Sequence, residues 1–113
     1  MNNSKNVYTY NIYISLKSSY WYENVKGICA NYFTHNEQAI ITKTTVFIGN
    51  KNCDGVSIKV IDHRPENTKA KNQANAETLA SILLKSLYQE KALIEIPNKI
   101  LEIYNDNRTL SIK

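Results

Sequence analysis

Glycine is scarce in this 113-residue chain, with three residues at positions 27, 49 and 55. So few leave no place for a P-loop or a G-x-G-x-x-G turn, which removes the common phosphate-cradling enzymes. Cysteine is scarcer still. Cys29 and Cys53 stand 24 positions apart, with no C-x-x-C and no His at ligand spacing, so no zinc site is legible and no cofactor is implied. Cys29 reads as a small buried hydrophobe and Cys53 as a loop residue, both reduced in a cytoplasmic chain. Long hydrophobic runs are missing too: nothing approaches the roughly 18 to 20 apolar residues of a membrane span. The polar start Met1-Asn2-Asn3-Ser4-Lys5-Asn6 lacks the apolar core of a secretory signal. The expectation is one soluble, cytoplasmic domain over 1–113, without membrane contact.

What is present is ordinary in amount and biased in kind. Apolar residues make up 42% and charged residues 21%, the balance of a globular protein large enough for one core. Fifteen Asn, fourteen Ile, twelve Lys and eight Tyr all have A/T-rich codons, and basic charge rests on Lys with only two Arg. A short, motif-poor chain of this composition reads as a phage, virus or mobile-element protein. The net charge of +4 lies in the N-terminal two thirds, with none left over residues 76–113. A basic, aromatic-rich half suits an anionic ligand; ordinary solubility charge is the plainer account.

Periodicity sets the elements. Residues 7–16 alternate strictly, with Tyr8, Tyr10, Ile12, Ile14 and Leu16 on one face, and read as a strand. Further strands are expected at 25–33, 39–48 and 56–62, with 18–24 as a connection or short helix and 49–55 as a turn cluster. From about 68 to 90 the apolar spacing becomes helical, with Ala76, Leu79, Ala80, Leu83 and Leu87 on one stripe and Asn67 or Asn75 as N-cap. Residues 92–96, 100–104 and 109–112 read as short strands, the last two a hairpin around Asn105-Asp106-Asn107. The expected fold is α+β: a mainly antiparallel sheet of four N-terminal strands, one long helix, then two or three short strands.

One helix covers only part of such a sheet. If Ile12, Ile14, Val46, Ile48, Ile58 and Val60 face the helix, the other face shows Asn11, Tyr13, Lys43, Thr45, Phe47, Lys59, Ile61 and His63. That face is expected to be a ligand platform, an interface of a homo-oligomer centred on Tyr13, Phe47 and Ile61, or a surface closed by curling of the sheet.

Motifs for catalysis are thin. His35 and His63 sit at turns, and neighbours on a strand point to opposite faces, so Asp62 and His63 make a poor acid–base pair. The one long helix carries Lys85 alone in its middle, with Lys69 and Lys71 near its start opposed by Glu77 and Glu90, and is poorly equipped to read a duplex groove. Tyr20-Trp21-Tyr22 is the most unusual feature, able to stack on a base or to anchor a protein partner. Arg64 and Arg108 stand out in a Lys-biased chain, since a guanidinium grips phosphate in a bidentate way; an ion pair of Arg108 with Asp106 is the plainer account. The expected function is a non-enzymatic protein that sequesters a nucleotide signal or single-stranded nucleic acid in counter-defence. Its ligand would meet Tyr20, Trp21, Tyr22, Lys43, Lys59, His63, Arg64 and Arg108, with no catalytic or metal residue. The alternative is an inhibitor or adaptor that binds a host protein through the same aromatics.

Overall fold

In the computed structural model, residues 7–16, 21–33 and 37–112 are described, side chains at 46–48 excepted. The elements run β1 (Tyr8–Ser15), α1 (Trp21–Tyr32), β2 (Gln38–Ile48), β3 (Lys51–Asp62), α2 (Lys69–Leu87), β4 (Lys91–Ile96), β5 (Lys99–Tyr104) and β6 (Thr109–Ser111). The strands form one antiparallel sheet in the order β2-β3-β1-β4-β5-β6.

The core follows from alternation on one side and helical spacing on the other. Ile12 and Ile14 of β1, Ile58 and Val60 of β3 and Ile94 of β4 point to one face and are at most 3% exposed. Leu79, Leu83, Leu84 and Leu87 of α2 lie on them, fully or almost fully buried. Thr68, not Asn67 or Asn75, caps α2: its backbone is extended and its side chain accepts from the Lys71 N–H at 3.1 Å. Asn67 instead accepts from the Thr68 N–H through its side chain. At the other end Tyr88 takes the left-handed conformation that stops the helix.

Two expectations are corrected. Residues 25–33 are not a strand but most of α1, so the sheet has three strands before α2, and two helices cover it. The reason lies in spacing: Tyr22, Val25, Cys29 and Tyr32 fall on one side of a helix, and Val25 and Cys29 reach the core. Of 18–24, residues 21–24 are the first turn of α1, while 18–20 lie outside the described residues. The turn cluster 49–55 shrinks to Gly49-Asn50, because Ile48 already pairs with Lys51; Gly49 takes φ 64°, which a side chain would strain.

The strand β2 is one residue out of phase with its expected facing. Lys43 pairs with Val56, which pairs with Ile14, so Lys43 shares the helix-covered side, and a slip of one residue turns a whole strand over. On the other side lie Lys59 and Asn11, with Tyr13, Ile40 and Leu93 exposed. No helix among the described residues is long and apolar enough to cross a membrane.

Candidate active site

A hollow of about 250 Å³ opens where both helices meet the sheet. Tyr10 and Val60 stand opposite each other on β1 and β3 and form its floor. Asp62 ends β3 and Arg64 follows it; Tyr32 ends α1, Glu37 leads into β2, and Asn75 comes from the second turn of α2. The Tyr32 hydroxyl donates to the Asn75 backbone carbonyl at 3.2 Å, which ties α1 to α2 over the floor.

Asp62 and Arg64 are locked together. Arg64 Nε donates to Asp62 Oδ1 at 2.9 Å and Oδ2 at 3.1 Å, and Nη2 donates to Oδ2 at 2.6 Å. The Arg64 backbone N–H adds a fourth bond to Oδ1 at 3.0 Å. Asp62 is only 2% exposed, so this charge is removed from water and held by a fork whose shape matches it. The guanidinium holds the Asp62 carboxyl below the usual carboxylate range, and the carboxylate in turn raises Arg64. Burial, helped by the nearby Glu37, pushes the Tyr10 and Tyr32 phenols up, so both remain protonated donors.

Two further polar atoms beside this pair are buried without a partner. Glu37 Oε1 is buried without a hydrogen-bond partner. Beyond Arg64 and Asn75, which serve as a shared wall, lies a second hollow of about 240 Å³ that includes Asn67. Asn67 is 7% exposed, and its Nδ2 also lacks a partner. Buried polar atoms are paired in the great majority of cases. Here a lone acceptor and a lone donor flank one guanidinium, an arrangement that fits a zwitterion. Glu37 and Asp62 against Arg64 leave the first hollow net negative, so it prefers a cation. Among the described residues no group of three or more His, Cys, Asp or Glu could hold a metal.

The expected ligand residues are scattered. Tyr20 lies outside the described residues. Trp21 and Tyr22 start α1 and pack partly against the core, with Lys43 Nζ 4.7 Å from the centre of the Tyr22 ring. Lys59 and His63 are exposed, Lys59 on the face away from the helices. Arg108 lies in the β5–β6 turn, exposed, paired with Asp106 at 2.8 Å and set over the Tyr104 ring. Of the seven that are described, only Arg64 lines the hollow. Tyr10, Tyr32, Glu37, Asn67 and Asn75 were not among the expected ligand residues. Tyr10 sits in phase with the core residues of β1, and the other four fall in a turn or on helix faces, where nothing local distinguishes them.

No family profile matches this sequence, and no curated protein matches it. Two solved structures share its fold over its whole length. A phage SAM lyase in complex with S-methyl-5′-thioadenosine has a TM-score of 0.56 at 11% identity, with 100% of this chain and 94% of that one aligned. A phage SAM lyase in the apo state has a TM-score of 0.52 at 12% identity, with 100% and 95% aligned. Identity this low establishes a common fold. The expectation of a non-enzymatic binding protein is corrected by it: both of these solved structures, which share the arrangement from end to end, are phage SAM lyases, and a lyase is an enzyme.

Proposed function

We propose that this protein is an enzyme of phage type that cleaves S-adenosylmethionine to S-methyl-5′-thioadenosine, acting in the hollow of Tyr10, Tyr32, Glu37, Asp62 and Arg64. The observation that carries the reading is the coincidence of a full-length SAM-lyase fold with a net-negative hollow flanked by one lone acceptor and one lone donor. The substrate bears a sulfonium, an ammonium and one carboxylate, and is cationic as a whole. Glu37 Oε1 receives the ammonium; Asn67 Nδ2 and Arg64 Nη1, which Asp62 does not occupy, receive the carboxylate. Ligand pockets run to about 300–1,000 Å³, so neither hollow suffices alone, and the substrate spans the first hollow at Glu37 and the adjoining one at Asn67.

The reaction explains the missing motifs. Release of the thioadenosine breaks the bond between sulfur and Cγ of the amino-acid chain. The electron pair leaves with sulfur, which passes from cation to neutral thioether and needs no proton. A carboxylate oxygen of the same substrate closes on Cγ, forming a lactone and discharging the carboxylate. Net charge is +1 before and after, and no water, base or metal enters the balance. Such a step asks the protein to fold the substrate and keep water away, which Tyr10 and Val60 do from a floor at most 2% exposed. Loss of the methyl donor in an infected cell would also serve counter-defence.

The test is direct. Purified protein incubated with S-adenosylmethionine and no methyl acceptor should accumulate S-methyl-5′-thioadenosine, read by chromatography and mass spectrometry. Glu37→Gln should cut kcat/KM by about tenfold to a hundredfold, the worth of one charge-assisted contact of about 1.5–3 kcal/mol, with melting unchanged. Intact substrate at stoichiometric protein would overturn the reading.

A further inference from the structure

A larger hollow, of about 700 Å³, lies elsewhere among the described residues. It lies on the other side of β1, between the first turn of α2, the start of β1 and the β4–β5 turn. Its chemistry is opposite to that of the candidate active site. Lys69 and Lys99 line it, no acidic residue among the described residues does, and neither lysine is in an ion pair among them. The first N–H groups of a helix have no partner within it. At α2 the Thr68 side chain takes that of Lys71, which leaves the N–H groups of Lys69 and Ala70, both in the wall of the hollow. A helix start beside two free ammonium groups is a place for a doubly charged anion.

A second observation fixes what else the ligand must carry. Asn72, in the same wall, is 2% exposed. Its Nδ2 donates to the Thr9 carbonyl at 2.9 Å, which settles the orientation of the amide, yet its Oδ1 is buried with no partner. An acceptor so placed calls for an O–H or N–H donor from a ligand. The hydroxyls of a ribose beside the phosphate supply such a donor. Tyr8, Ile96 and Pro97 add an apolar wall for a flat ring.

We propose that this hollow binds a ribonucleoside monophosphate, the phosphate on Lys69, Lys99 and the open first turn of α2, a ribose hydroxyl on Asn72 Oδ1, and the base against Tyr8 and Pro97. The site is separate from the reaction hollow and does not rest on the proposed activity.

Calorimetric titration of the purified protein with AMP tests it without any turnover. Saturable one-to-one binding is expected, weakened about tenfold or more by Lys99→Glu and by Lys69→Glu, both exposed changes that leave the fold intact. The 2′,3′-dideoxy counterpart of AMP should bind about tenfold more weakly than AMP, which reads the Asn72 contact without altering the protein. Inorganic phosphate alone should compete at high concentration. Absence of AMP binding at millimolar ligand, binding indifferent to both lysine changes, or equal affinity for the dideoxy compound would each overturn the proposal.

Discussion

The two helices divide the labour of the molecule. Seven residues of α2 are buried, its N-terminus is capped by Thr68 and its C-terminus closed by a left-handed Tyr88. Only Val25 and Cys29 of α1 are buried. The helix α1 nevertheless contributes Tyr32, whose hydroxyl bridges to α2 above the hollow. The long helix holds the sheet, and the short one closes the site. A site wall needs access and a few well-placed polar atoms, so the element that forms it has less apolar surface to give to the core.

This contrast can be broken or sharpened by measurement. Leu83→Ala removes a side chain buried between α2 and the sheet and should cost about 3–4 kcal/mol. Val25→Ala in α1, equally buried, removes two methyl groups and should cost about 2 kcal/mol. Urea denaturation reads both, and equal losses would mean that α1 is as much a part of the core as α2.

Asp62→Asn strips the buried partner from Arg64 and should cost about 2–3 kcal/mol at neutral pH. The sign of its pH dependence follows from the lowered pKa of Asp62 in the folded state, where Arg64 holds its carboxylate. A carboxylate with a lowered value lends its stability fully above its unfolded value and loses it as pH falls through the folded one. The gap between wild type and Asp62→Asn should therefore be constant above about pH 5 and shrink below about pH 4. A gap that persists at pH 2 would show that Arg64 is not held by charge.

Thr68→Ala removes the cap of α2 and should cost about 1 kcal/mol, seen as a few degrees in Tm. The smallest effect concerns the cysteines. Burial pushes the Cys29 thiol up to about 11, while Cys53 is only partly covered. Iodoacetamide at pH 8 should label Cys53 in the native protein and Cys29 only after unfolding. Fast labelling of Cys29 would mean that α1 opens readily.

Much of this architecture was legible in the sequence. The alternation of β1 and the heptad-like stripe of α2 are long, and each repeats its signal often enough to outweigh chance. The final hairpin was legible for another reason, since Asn105-Asp106-Asn107 is turn chemistry and Asn107 does take a positive φ. Val25 to Phe33 failed because nine residues hold only about two and a half helical turns, and an apolar spacing that short fits a strand nearly as well. Lys43 failed because the phase of β2 is set by its pairing with β3, which no local pattern reports.

The sequence by itself determined an α+β class, a core stripe on α2 and a sheet with one apolar face, because these follow from periods of two and of 3.6 that the residues carry wherever they are placed. Only the tertiary structure decided the site. Tyr10, Tyr32, Glu37, Asp62, Arg64 and Asn75 come from five separate stretches, and of the six only Arg64 stood out along the chain as a ligand residue. The reaction proposed for it would need no proton carrier and hence no motif, and the buried Glu37 acceptor left without a partner exists only once the chain has folded around it.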